Sequence, residues 1–237
     1  MGTRHSVSWF DWRTAKTRQS SNYKHKSTPN YNHNWTELHY AASQGNLEKL
    51  QELLSIQGKQ NIDRQDYYGK TPLYWSAYKG HKDCIEELLK HGADVNSQCK
   101  HGSTPLHAVS GLYPDSTLLL IKKGADIDIE DNWGVTPMYL AACSGQIDCI
   151  RILVLSGANM TYRNMKTGAI PKQLAEHYEF LQWLKLQSQN ARSLKELCRK
   201  CIRKTLGYRH IHEVGTLDIP SCLQHYLLLE EINWNIK

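Results

Sequence analysis

TELHYAASQG (residues 36–45) returns along the chain as TPLYWSAYKG (71–80), STPLHAVSG (103–111) and TPMYLAACSG (136–145), with a worn fifth copy in GAIPKQLA (168–175). Thr36, Thr71, Thr104, Thr136 and Ile170 hold one place in the five copies, spaced 35, 33, 32 and 34 residues apart. An apolar second segment follows each of the first four: LEKLQELL, CIEELLKHGADVN, TLLLIKKGADIDI and CIRILVLSGANM. A period of that length with two apolar segments predicts helix pairs stacked into an array. The threonine caps the first helix of each pair, and the proline after it stands in the first turn, where a missing N–H costs nothing. The pairs Ala41–Ala42 and Ala141–Ala142 let two helices approach closely. Gly92, Gly124 and Gly157 supply a left-handed turn after the second helix. Leu88–Leu89, Leu119–Leu120 and Ile152–Leu153 are expected to bury against neighbouring units, because one unit cannot cover its own apolar face.

The T-P-L-H openings and G-A-D-x-N closings resemble the ankyrin repeat. The resemblance implies an all-α ankyrin-repeat solenoid of about five repeats over residues 35–188. The third copy is one residue short and carries Gly111 and Pro114 where its helices meet, so its second helix should start late. The first copy has Glu37 in place of proline and a long exit loop, SIQGKQNID. The fifth keeps Pro171, Leu174 and Ala175, then runs into HYEFLQWLKLQ and is expected to close the stack.

Residues 1–34 hold six Lys or Arg and one acid, Asp11, among much Ser, Thr and Asn. This composition reads as a basic, disordered arm. Its start, MGTRHS, fits the loose N-myristoylation pattern, and it contains no apolar segment of a secretory signal. No apolar run long enough for a membrane helix occurs, so no stable membrane insertion is expected. Seven cysteines without a dense framework favour reduced thiols and a cytoplasmic or nuclear setting. The net charge of +6 over 237 residues does not by itself imply nucleic acid.

SLKELCRKCI (193–202) admits three readings. Cys198 and Cys201 would need two further ligands to hold a metal, and His210 and His212 do not match common zinc spacings. Lys195, Arg199, Lys200, Arg203 and Lys204 form a basic run, without the aromatic platform or base-reading motif of a nucleic-acid module. Leu194, Cys198 and Ile202 recur every fourth residue and share one helical face, widened by Leu197, with Ser193 as a cap. The segment that follows, TLDIPSCLQHYLLLEE (216–231), gives a short extended piece around Ile219–Pro220 and then a helix.

Taken together, the two segments resemble a SOCS box, a small three-helix module, over residues 191–232, leaving 233–237 as a tail. Ser193, Leu194, Leu197, Cys198 and Ile202 fit the family's elongin-C-binding motif. Leu217, Ile219, Pro220, Leu223 and Tyr226 resemble its cullin-5-binding motif, with Asp218 where the family usually has a first proline. The resemblance implies a substrate receptor: elongin B and elongin C, cullin-5 and its RING partner on the SOCS box, and an unidentified target protein on the ankyrin units. Such a chain is not an enzyme and takes no cofactor and no metal. The residues agree, with no Gly-rich phosphate loop, nucleophile–base pair or paired carboxylates at a meaningful spacing. The alternative is an ankyrin interaction scaffold without ligase recruitment.

In ankyrin stacks, the loop tips and the outward positions of the first helices face the concave side. Here they hold Tyr67, Tyr68, Lys70, Tyr78, Lys79, Lys100, His101 and Trp133, the residue types that anchor protein interfaces. They are the expected target-binding surface. Trp75 is expected in the core.

Overall fold

The computed structural model describes residues 34–57, 61–163, 167–189 and 202. The described part of residues 34–189 forms ten helices, and no strand occurs among the described residues. They come in pairs: α1 (Glu37–Gln44) with α2 (Leu47–Gln57), α3 (Pro72–Lys79) with α4 (Lys82–Lys90), α5 (Pro105–Ser110) with α6 (Pro114–Lys122), α7 (Pro137–Ser144) with α8 (Ile147–Leu155), and α9 (Lys172–Ala175) with α10 (Tyr178–Gln189). The odd-numbered helices pack in sequence as one row, α1 on α3, α3 on α5, α5 on α7 and α7 on α9. The helices α2, α4, α6 and α8 pack as a second row.

Local chemistry starts each unit. The hydroxyls of Thr71 and Thr136 accept the N–H of Tyr74 and Tyr139, each at 3.2 Å. In the first and third units a histidine answers the threonine. The backbone N–H of Thr36 donates to His39 Nδ1 at 3.1 Å, and that of Thr104 to His107 Nδ1 at 3.1 Å. An Nδ1 that accepts carries no proton, so Nε2 holds it and donates onward. His39 Nε2 reaches the Lys70 carbonyl at 3.1 Å, and His107 Nε2 the Val135 carbonyl at 3.0 Å. Each histidine therefore ties its own unit to the next. Burial holds both imidazoles below their usual pKa, since a charged ring there would lose its water.

The core runs between the two helix rows. Leu73, Ile85, Leu88, Leu106, Leu120, Met138, Ile150, Ile152 and Leu153 are all fully buried. Leu89 and Leu119 are only partly covered. A polar seam joins units on the far edge: Asp94 N donates to Asp63 Oδ1 at 2.9 Å, Asp126 N to Asn96 Oδ1 at 2.9 Å and Asn159 N to Asp128 Oδ1 at 2.6 Å. All but Asp63, which ends the exit loop of the first copy, belong to the G-A-D-x-N closings and their variants, so the motif serves the joint between neighbours.

The third unit corrects an expectation: its one-residue deficit shortens the first helix, and the second does not start late, beginning ten residues after the capping threonine against eleven in the first, second and fourth units. α5 has six residues, Gly111 stays at φ −87°, and α6 starts at Pro114. A side chain at Gly111 would meet the Ser144 hydroxyl at 2.7 Å, so the third unit needs the bare backbone to lie against the fourth. The fifth unit has Ile170 where the others have threonine. No side chain caps α9, which is a single turn of four residues.

One expectation is corrected. Trp75 is half-buried and lies outside the core. Leu73 and Ala77 sit on the core side of α3 at 0% exposure, and Trp75, two residues from each, projects to the other side.

Candidate functional site

Before each of α3, α5 and α7 the chain makes a tight projecting loop. In the loop of residues 66–70, Asp66 N donates to the Lys70 carbonyl at 2.9 Å, and the Asp66 carbonyl accepts Gly69 N–H at 2.9 Å. Asp66 Oδ1 closes the loop from inside by accepting the N–H groups of Tyr68 and Lys70, both at 2.8 Å. Asp131 repeats this, accepting Trp133 and Val135 N–H at 2.9 Å. The middle loop has Cys99 in the aspartate's place and lacks the carboxylate. It is held from both sides instead: Lys100 N donates to the Tyr68 carbonyl at 3.0 Å, and Asn132 N to the His101 carbonyl at 3.0 Å.

These links bring the predicted tip residues together. Lys100 Nζ lies 4.3 Å from the Tyr67 ring centroid. Tyr67 and Tyr68 meet edge to face at 5.3 Å, and the His101 and Trp133 rings stack at 5.2 Å and 29°. Tyr67, Tyr68 and Trp133 are 61%, 41% and 59% exposed. Large rings held in the open on hydrogen-bonded loops are rigid contact area available to a partner.

The other predicted residues, Lys70, Tyr78 and Lys79, belong to a second cluster that is richer than the sequence reading allowed. Trp75 and Tyr78 meet at 5.8 Å, Trp35 and Trp75 at 4.9 Å, and Trp35 and Tyr40 at 4.9 Å. Both indoles donate to Asp66 Oδ2, Trp75 at 2.9 Å and Trp35 at 3.2 Å. The Lys70 ammonium lies over the rings of Trp75, Tyr74 and Tyr78, at 4.6, 4.8 and 5.6 Å. Lys70 is thus half-buried rather than an open tip residue. Burial lowers its pKa from the ordinary lysine value, with the carboxylate of Asp66 among the groups opposing the shift. Lys79 is exposed, 5.7 Å from the Tyr78 ring.

Trp35, Tyr40 and Trp75 are the residues that sequence reasoning missed. A signal was present in the register. Trp35 and Lys70 each stand one place before the capping threonine, and Tyr40 and Trp75 each four places after it. Equivalent positions in consecutive units must be neighbours, so four large side chains converge.

The ankyrin-repeat profile matches residues 19–99 and 91–164, and the SOCS-box profile matches residues 190–228. The chain belongs to the ankyrin-repeat and SOCS-box family. Similar family members include ankyrin repeat and SOCS box protein 11 of Danio rerio, 33% identical over 158 residues, covering 67% of this chain and 53% of the relative. Ankyrin repeat and SOCS box protein 9 of Mus musculus is 29% identical, covering 67% and 54%. Protein 11 of Homo sapiens is 28% identical over 196 residues, covering 81% and 49%. The chain spans about half the length of these curated relatives.

Of this family member's SOCS-box positions, Ile202 is described: it is helical and 40% exposed. Ser193, Leu194, Leu197, Cys198, Leu217, Ile219, Pro220, Leu223 and Tyr226 lie outside the described residues, as do the arm and the tail. Cys84, Cys99, Cys143 and Cys149 are free thiols. Among the described residues no group of His, Cys, Asp and Glu is arranged to hold a metal, and no helix is long and apolar enough to cross a membrane.

Proposed function

We propose that this chain is the non-catalytic substrate-recognition subunit of a SOCS-box E3 ubiquitin ligase. In this reading Leu194, Cys198 and Ile202, with Ser193 and Leu197, dock on elongin C, which carries elongin B. Leu217, Ile219, Pro220, Leu223 and Tyr226 engage cullin-5 with its RING partner. The ankyrin units hold a target protein on the face built from Tyr67, Tyr68, Lys70, Tyr78, Lys79, Lys100, His101 and Trp133. The observation that carries this reading is the SOCS-box match at 190–228, which follows the ankyrin matches. The chain supplies no chemistry of its own. It tethers a target beside a charged ubiquitin-conjugating enzyme, and tethering raises effective concentration and restricts orientation.

The test is co-purification. Full burial of a leucine side chain is worth roughly 1.5–3 kcal/mol, so the elongin contact should depend on Leu194. Wild type is expected to recover elongins B and C, and Leu194→Ala with Cys198→Ala to lose both while the helical signal of the ankyrin units stays. Recovery by the double variant, or no recovery by wild type, overturns the reading. The second outcome would leave an interaction scaffold without ligase recruitment.

A further inference from the structure

Three lysines of the target face share an unusual surrounding. Lys70 lies over Trp75, Tyr74 and Tyr78, Lys79 over Tyr78, and Lys100 over Tyr67. The ion pairs formed among the described residues are elsewhere, between Lys49 and Glu52 and among Glu86, Glu87, Lys90 and His91 on α4 and its end. Asp66, the acid closest to Lys70 in the chain, is engaged: its two carboxylate oxygens accept the N–H groups of Tyr68, Lys70, Trp35 and Trp75. The Lys70 ammonium has therefore given up part of its water to ring faces without gaining a carboxylate among the described residues.

A ring face attracts a cation through its quadrupole, more weakly than a full negative charge at contact distance. An anion arriving at Lys70 would meet a cation already ordered by three rings, so little side-chain freedom is lost on pairing. The same rings would exclude water from the pair and strengthen it. Lys79 and Lys100 are exposed and flank the position, where they would attract negative charge from a distance.

We propose that the target is recognised through an acidic side chain, an Asp or Glu on a short exposed segment, whose carboxylate seats on the Lys70 ammonium. This rests on the face being the target-binding surface and names its chemistry. Lys70 is the specificity-determining residue, Trp75 and Tyr78 form the walls, and Lys79 and Lys100 contribute attraction without selectivity.

The test uses the full chain and two fluorescein-labelled peptide pools, identical except that one has a fixed central Glu and the other Gln. Wild type is expected to bind the Glu pool at least about tenfold more tightly by fluorescence anisotropy, since a partly desolvated charge pair is at stake. Lys70→Met, which keeps an unbranched stem on the rings, should abolish the difference. Lys70→Arg should retain it, and Lys79→Met should keep most of it. Far-ultraviolet circular dichroism establishes that each variant is folded. Equal binding of the two pools by wild type, binding of neither, or a preference that survives Lys70→Met overturns the proposal. No elongin is needed for this readout. A Lys70-dependent Glu preference without elongin recovery overturns the ligase reading alone, and elongin recovery without the preference overturns this one alone.

Discussion

Trp75 donates its indole N–H to Asp66 at 2.9 Å, across the junction between a projecting loop and the helix that follows it. The same carboxylate takes the Trp35 indole from the preceding unit and two N–H groups of its own loop. One acid thus sets the shape of the loop, the placement of both indoles and, through Trp75, the seat of Lys70.

Asp66→Ala should therefore cost far more than a loop substitution normally does. It strands four donors, and each poorly hydrated donor left unmet costs about 1–3 kcal/mol. A loss of at least about 2 kcal/mol in urea unfolding is expected, with weakened near-ultraviolet circular dichroism from the freed indoles. Asp131→Ala frees two backbone donors in its loop. The Trp133 N–H is exposed and water can replace the carboxylate there, so only the part-buried Val135 N–H is left unmet and the loss should be about 1 kcal/mol. Equal losses would contradict the central role given to Asp66.

Stability should fall as pH drops below neutrality. His39 and His107 have folded-state pKa values below the ordinary 6.5, because burial disfavours the charged ring. Between the folded value and 6.5 the unfolded chain binds more protons, so stability falls as pH is lowered through this window. Both rings also act through an unprotonated Nδ1, so protonation breaks the bond from Thr36 or Thr104 N–H. Urea midpoints at pH 7.5 and 5.5 measure the drop. His107→Gln should flatten it, and an unchanged slope in that variant would exclude His107 as a source.

Two glycines with similar backbone angles should respond differently to alanine. Gly80 has φ +78°, and an added Cβ would lie 2.5 Å from the Tyr113 ring of the next unit. Gly157 has φ +91° with open space around it. Backbone strain alone costs about 1–3 kcal/mol. Gly157→Ala should show only that, while Gly80→Ala adds a clash at a joint between units and should unfold the chain at distinctly lower temperature. Thermal melts of the pair decide it.

For the proposed target face, alanine at Tyr68, Tyr78 and Trp133 together should weaken target co-purification by at least about tenfold, as expected where aromatic anchors carry an interface. Elongin recovery should be unaffected, because these residues lie on the ankyrin units. Unaltered target recovery would refute this face.

Within the SOCS box, changing Leu217, Ile219 and Pro220 to alanine should lower cullin-5 recovery and spare elongins. Asp218→Pro should raise cullin-5 recovery if the departure from the family's pattern weakens the contact. Pull-down from cells expressing each variant measures both, and cullin-5 recovery that ignores all four positions would contradict the assignment.

The repeat architecture was legible because its signals are local. The cap from Thr71 to Tyr74 spans three residues, and the six-residue length of α5 is written in the residue its copy lacks. The exposure of Tyr67, Tyr68, Lys100 and Trp133 was legible too, since loops between repeats have no core to enter, but that of Lys70 was misread, because its ammonium lies over three rings. Trp75 was misread because an apolar ring in a helix beside core residues looks like core, and only the direction of its side chain separates the two.

Period, caps and helix pairing follow from the chain alone, since each depends on neighbours a few residues apart and recurs in every copy. The family resemblance likewise rests on strings that can be quoted. The docking of consecutive units decided the rest. Trp35 and Asp66 are 31 residues apart and meet only when the first unit seats on the second. The three rings around Lys70 differ in direction by the turn of α3 and the packing beside it. Residues that share a register are bound to be neighbours, but which of them turns inward, which donates and which loses its water depends on the surface the next unit presents.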